Sequence, residues 1–128
     1  MNKLYYILFV VSMLFLASCN KAAIDYNPDF NGYWKSEIVI SELTGLENQS
    51  YLILGESNNE CGLACQPSCL GCECLKLTEG RALVNTSRSK IRIGPNGNTI
   101  TLTINEEPYM NSDSVWVCRL NGLLYYKQ

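Results

Sequence analysis

Residues 115–127 read Val-Trp-Val-Cys-Arg-Leu-Asn-Gly-Leu-Leu-Tyr-Tyr-Lys, and this stretch decides the fold class. Asn121-Gly122 is the dipeptide that best tolerates the two left-handed residues of a tight hairpin turn, and it separates two runs rich in β-branched and aromatic side chains. A two-residue loop pairs Leu120 with Leu123. That register puts Trp116, Cys118, Leu120, Leu123 and Tyr125 on one face and Val115, Val117, Arg119, Leu124 and Tyr126 on the other. Both faces are partly apolar, so the pattern alone does not choose the core side.

Upstream, Ile100, Leu102 and Ile104 alternate with Thr99, Thr101 and Thr103, the signature of a half-buried strand. Pro95, Asn96, Gly97 and Asn98 form the turn before it. Ile91 and Ile93, Ala82 to Val84, Leu75 and Leu77, and Tyr51 to Leu54 supply further short strands, and Trp34, Ser36, Ile38 and Ile40 share one face of another. No helical period competes. The expected fold is all-β: an antiparallel meander of seven to eight short strands, closed or nearly closed into a barrel.

The other end of the chain carries an address. Met1 to Lys3 is a short basic leader, Leu4 to Ala17 is almost unbroken apolar sequence, and Leu16-Ala17-Ser18 stands before Cys19. The run is too short to span a bilayer, which needs about 20 residues, and has the layout of a secretory signal. Leu16-Ala17-Ser18-Cys19 resembles the lipobox of bacterial lipoproteins. The resemblance implies cleavage after a signal peptide of residues 1–18, acylation of Cys19 (palmitate being a usual chain), and membrane attachment through the N-terminal acyl chains. Asn20, where an Asp would resemble an inner-membrane retention signal, points to the outer membrane of a Gram-negative cell. The absence of an acidic cluster after it favours the periplasmic face.

Asn20 to Phe30 has little periodicity and reads as the end of a lipidated tether, 19–30, leading to a single domain at 31–128. Removing Lys3 with the leader leaves nine basic residues against twelve acidic ones, a net side-chain charge of −3. Nothing in that balance suits a nucleic-acid partner. Arg88, Lys90 and Arg92 form an alternating stripe that reads either as a solvated strand face or as an edge for an anionic ligand.

Phe30-Asn31-Gly32-Tyr33-Trp34 resembles the Gly-x-Trp opening of lipocalin-like barrels. The resemblance implies that Gly32 lets the chain turn closely, that Trp34 plugs one end of the barrel, and that Arg119 packs on Trp34 as that family's end-of-barrel arginine, a cation–π contact. Lipocalins are usually longer and carry a helix not evident here.

Residues 57–74 read SNNECGLACQPSCLGCEC and place Cys61, Cys65, Cys69, Cys72 and Cys74 in one loop. Cys65, Cys69 and Cys72 match the spacing of radical SAM iron–sulfur motifs, but an exported chain this short cannot build that family's barrel. In an oxidising compartment disulfides are the first expectation. With Cys19 lipidated, six cysteines remain, and full oxidation requires one loop cysteine, Cys74 or Cys61 by position, to bond Cys118. The rival reading is a thiolate site for zinc or copper(I).

There is no histidine to act as a base near neutral pH, and Glu106 and Glu107, before Pro108, read as a solvated loop. No enzymatic activity and no cofactor are expected. Asp113-Ser114-Val115 resembles a short bacterial O-glycosylation acceptor, with Ser114 the acceptor. The expected function is a non-catalytic, lipid-anchored β-barrel module of the cell envelope that binds a small apolar ligand or a protein partner. The alternatives are metal handling or sensing by the cysteine loop, or inhibition of a hydrolase, since small barrel lipoproteins that inhibit lysozyme are similar in size and cysteine use.

Overall fold

The computed structural model describes residues 21–55, 60–95 and 97–128. The leader 1–18, Cys19 and Asn96 of the expected turn lie outside the described residues. The chain is all-β and antiparallel, and eleven strands join one sheet: β1 Lys21–Ala22, β2 Gly32–Ser36, β3 Val39–Ile40, β4 Glu47–Leu54, β5 Cys61–Cys65, β6 Leu75–Glu79, β7 Ala82–Val84, β8 Lys90–Ile93, β9 Ile100–Met110, β10 Trp116–Leu120 and β11 Leu123–Lys127. The ladder runs β1-β7-β8-β9-β10-β11-β2-β4-β5-β6, with β3 paired to β4 alone. It does not close. The expected barrel, closed or nearly closed, is not formed by the ladder, which ends at β1 and β6, and the strand count exceeds the expected seven to eight because short strands flank the long ones.

The Asn121-Gly122 hairpin forms in the expected register, Leu120 opposite Leu123 and Cys118 opposite Tyr125. The face of Cys118, Leu120 and Tyr125 is the core side, with Trp116 and Leu123 packed against it. Val117 is also buried, between Tyr109 and Tyr126 of the flanking strands on the outer face. β9 is longer than the threonine alternation suggested. It runs through Glu106, Glu107 and Pro108, where a loop was expected, because the β9–β10 ladder shifts register twice between Val117 and Leu120. A proline, which has no N–H for a ladder, is tolerated at such a bulge.

Residues from both ends of the ladder share one core: Trp34, Leu52 and Leu54 from β2 and β4, Ala82, Val84, Ile91 and Ile93 from β7 and β8, and Leu102, Cys118, Leu120 and Tyr125 between them. One cluster fed from both wings requires the sheet to coil on itself. Trp34 is fully buried, and its Nε1 donates to the Phe30 carbonyl at 2.8 Å. At Gly32 the backbone has φ +136°, a region that side-chain-bearing residues rarely adopt, and the Lys127 stem passes 3.4 Å from where a Cβ would stand.

The expected tether is corrected from Lys21 onward. Ala23–Tyr26 forms one helical turn, α1, and Pro28–Phe30 a 3-10 turn whose start is capped by the Asn27 side chain accepting from the Asp29 N–H. Ala23 and Phe30 are buried in the common core. Asn27 donates to Glu107 at 3.2 Å, and the Arg88 guanidinium lies 5.5 Å from the Tyr26 ring centre, so this segment is bound to the body of the sheet.

Trp34→Ala is therefore expected to lower stability by about 3 to 5 kcal/mol, read from urea unfolding monitored by circular dichroism. A loss below about 1 kcal/mol contradicts its place at the centre of the core.

Candidate functional site

The expected barrel-end contact is made by a different residue. Arg119 points away from Trp34: its Nε lies 3.8 Å from Glu106 and an Nη donates to the Gly122 carbonyl at 3.2 Å. Parity explains this, because Arg119 follows Cys118 and so faces outward. The cation over Trp34 is Lys127, with Nζ 5.0 Å from that ring and 5.3 Å from Trp116, held by donation to the Asp29 carbonyl at 2.8 Å. This lysine escaped the sequence reading, although its position one alternation beyond Tyr125 placed it on the core-side face.

The cysteine segment is only partly a loop. Cys61 to Cys65 is strand β5, paired with β4 and β6, and the loop proper spans 66–74. Cys65 bonds Cys74 across the base of the β5–β6 hairpin with Cα atoms 4.4 Å apart, and Cys69 bonds Cys72 within the loop at 5.5 Å. Cys61 and Cys118 carry free, buried thiols. The expected bridge from Cys118 to Cys74 or Cys61 is thus corrected. Cys118 points into the core, while Cys74 is already spent at the hairpin base. The nested bridges still order the loop: closing the nine-residue separation contributes roughly 2.5 kcal/mol in the chain-entropy model. They also occupy four of the sulfurs a metal would need.

Burial pushes the Cys118 thiol up to about 12, with Lys127 opposing weakly, and raises Cys61 as well. Neither thiol supplies a thiolate near neutral pH. Glu106 and Glu107 are exposed and engaged with Arg119 and Asn27.

What the fold assembles instead is an end of the molecule made of two hairpins. β2 stops at Ser36, short of the strand expected through Ile40. Ser36 Oγ donates to the Glu37 carbonyl and accepts from the Ser50 N–H, Gln49 donates to the Ser36 carbonyl, and Glu37 exchanges bonds with Leu124 through its N–H and Oε1. This partly buried polar knot bends the chain at Ser36, and the β3–β4 hairpin carries exposed side chains beyond it. Gly45 at φ +69° closes its tip. Beside it stands the stapled β5–β6 loop, turned at Gly71 with φ +80°.

The two tips display aliphatic side chains to solvent. Leu43 is 97% and Leu70 99% exposed, Ile40 61% and Leu75 66%, with Ile38, Val39 and Leu46 also open. At the base of the stapled loop, beside Asn48 of β4, lies a groove of about 470 Å³ lined by Ala64, Cys65, Gln66, Cys72, Glu73 and Leu75. The exposed leucine, isoleucine and valine side chains lie on these two hairpins, while Tyr33, Tyr109, Met110 and Tyr126 are exposed elsewhere on the sheet. Ser114 sits exposed in the turn before β10 at φ 60°, where the Asn111 side chain accepts from the Asp113 and Val115 N–H groups.

Comparison with known proteins gave no matching family model, and no significant similarity to a curated protein or to a solved structure. The site is therefore read from its own chemistry.

Two free thiols should titrate in denatured, unreduced protein beyond Cys19, and neither should react quickly in the native state. Because burial makes the folded Cys118 thiol hold its proton more tightly, its contribution is intact below about pH 9 and is lost as the pH rises toward 12. Cys118→Ala should give a shallower alkaline decline in stability, measured by denaturant midpoints across that range. An unchanged slope contradicts the burial assigned to Cys118.

Proposed function

We propose that this chain is a non-catalytic, lipid-anchored module of the cell envelope that binds a protein partner through the paired tips of the β3–β4 and β5–β6 hairpins. The observation that carries the choice of a protein over a small apolar ligand is where the apolar side chains are. The interior side chains Trp34, Tyr125, Phe30 and Leu54 pack together with almost no exposed surface, whereas the exposed aliphatics gather at the tips. The groove at the base of the stapled loop includes Asn48, Gln66 and Glu73 in its lining and suits a protruding side chain better than a buried apolar ligand.

Rigidity supports the same reading. The disulfides and the Ser36–Gln49 knot order both hairpins before binding, so little conformational entropy remains to be lost on association. Inhibition of a hydrolase is one form such binding can take. The anchor rests on the resemblance at Leu16 to Cys19, with the outer membrane, periplasmic face, as its address. O-glycosylation at Ser114 remains a proposal supported by its exposed turn.

Two measurements test this. Cys19→Ser should abolish fatty-acid labelling and release the protein from the membrane fraction. A variant that stays membrane-bound and labelled contradicts the lipoprotein reading. A photo-crosslinking residue at Leu43 or Leu70 should give one discrete protein adduct in intact cells, while Leu43→Glu with Leu70→Glu removes it and changes stability by less than about 0.5 kcal/mol. Adducts equally abundant from Thr101, on the other wing, contradict the assignment to the tips.

A further inference from the structure

Charge is segregated along this chain. From Ser36 to Leu75 there are glutamates at 37, 42, 47, 56, 60 and 73 and no basic residue. From Gly80 to Asn105 there are Arg81, Arg88, Lys90 and Arg92 and no acidic residue. The fold makes the second stretch into one wing, β7, β8 and the first half of β9.

On β8, burial alternates. Ile91 and Ile93 enter the core, so Lys90 and Arg92 face outward. The ladder sets Lys90 beside Thr103, and Arg92 between Thr101 and Leu83. A groove of about 220 Å³ results, lined by Leu83, Asn85, Lys90, Arg92 and Thr101. Neither cation is ion-paired with a described residue. Asn85 is committed to its own turn, accepting from the Ser89 and Lys90 N–H groups and donating to the Ser87 and Ser89 hydroxyls. Two cations and a threonine hydroxyl are thus left to face a ligand, a set suited to phosphate oxygens.

The same wing is where the chain enters the fold. β1 pairs with β7, Lys21 opposite Val84. Cys19 lies two residues before Lys21, a reach of at most about 7 Å. The stapled loop begins at the far end of β6 from the link to β7, about 13 Å of strand away.

We propose that the outer face of β7, β8 and β9 is a seat for an anionic bilayer, with Lys90 and Arg92 holding a phospholipid headgroup phosphate in this groove and Arg81 on the same wing. The inference rests on the lipid-anchored reading, which brings a membrane to this wing. The seat fixes how the tethered domain lies: the cationic wing faces the lipid, and the carboxylate-rich hairpins are repelled from it.

The test uses the full, lipidated protein in vesicles of phosphatidylcholine alone or with about one quarter phosphatidylglycerol. Flotation reports anchoring. Acetylation of each lysine, read by mass spectrometry, reports the face turned to lipid. At about 0.05 M salt, Lys90 should be labelled at least about threefold more slowly in phosphatidylglycerol vesicles than in phosphatidylcholine, and about 0.5 M salt should erase the difference. Lys35 and Lys76 should not change. Arg92→Glu should remove the protection of Lys90 without altering flotation or the circular dichroism spectrum, and Arg92→Gln should reduce it.

Protein that floats but labels equally in both vesicles overturns the seat and leaves the anchor standing. Equal protection by inorganic phosphate added to phosphatidylcholine vesicles makes the groove a site for a free anion and overturns the bilayer proposal. Protein that floats with neither vesicle removes the anchor and the seat together.

Discussion

The buried carboxylate of Glu60 holds together what the sheet's hydrogen-bond ladder leaves open. Its Oε2 accepts from the Gly55 N–H at 3.1 Å, its Oε1 accepts from the Ala82 N–H at 3.2 Å, and its carbonyl accepts from Gly80 at 2.8 Å. Gly55 follows the last residue of β4 and Ala82 opens β7, so one side chain ties the β4–β6 edge to the opposite wing. Thr78 adds a bond to the Asn98 carbonyl at 2.6 Å, and Gly80 packs so closely on Gly94 that a Cβ would stand 2.9 Å from its Cα. Hydrogen bonds to a carboxylate contribute more than neutral ones, and a buried N–H stripped of its partner costs about 1 to 3 kcal/mol. In a domain this small, that is a large share of total stability.

The other features follow from this closure. With the wings held together, Ile91, Ile93 and Val84 reach Trp34 and Leu54, and one core serves the whole chain. Because the core occupies the interior, the proposed contacts are all on the outside: the hairpin tips on one wing and the cationic face on the other. The disulfides act locally, ordering the loop without tying it to β10. The buried thiol of Cys118 fills volume in the core, a role common for free cysteine.

The sequence disclosed what depends on neighbours in the chain. Alternation from Thr99 to Ile104, the Asn121-Gly122 turn and the burial of Trp34 are set by local period and turn chemistry, and the structure has them. Long-range partners were not legible. No local signal marks Glu60 as a clasp, since an isolated glutamate near a cysteine-rich segment reads as solvated. Cys61 to Cys65 reads as loop because five cysteines mask a short strand between glycine-bearing turns. Asn20 to Phe30 reads as tether because burial of Ala23 and Phe30 depends on strands that follow much later. The bulges that carry β9 through Pro108, and the choice of Lys127 over Arg119 for Trp34, are likewise tertiary.

Native-state hydrogen exchange on the Glu60→Gln protein tests the closure most directly. Glutamine keeps the shape but offers one acceptor oxygen in place of two, so one of the Gly55 and Ala82 amides loses its partner. The account predicts that both amides are protected in the native protein, and that the substitution lowers protection at one of them and at neighbouring Gly80 by about tenfold or more, while the Asn121-Gly122 hairpin is unaffected under conditions of local opening. An Ala82 amide that exchanges like an exposed loop in the unsubstituted protein, or protection unchanged by Glu60→Gln, would contradict it.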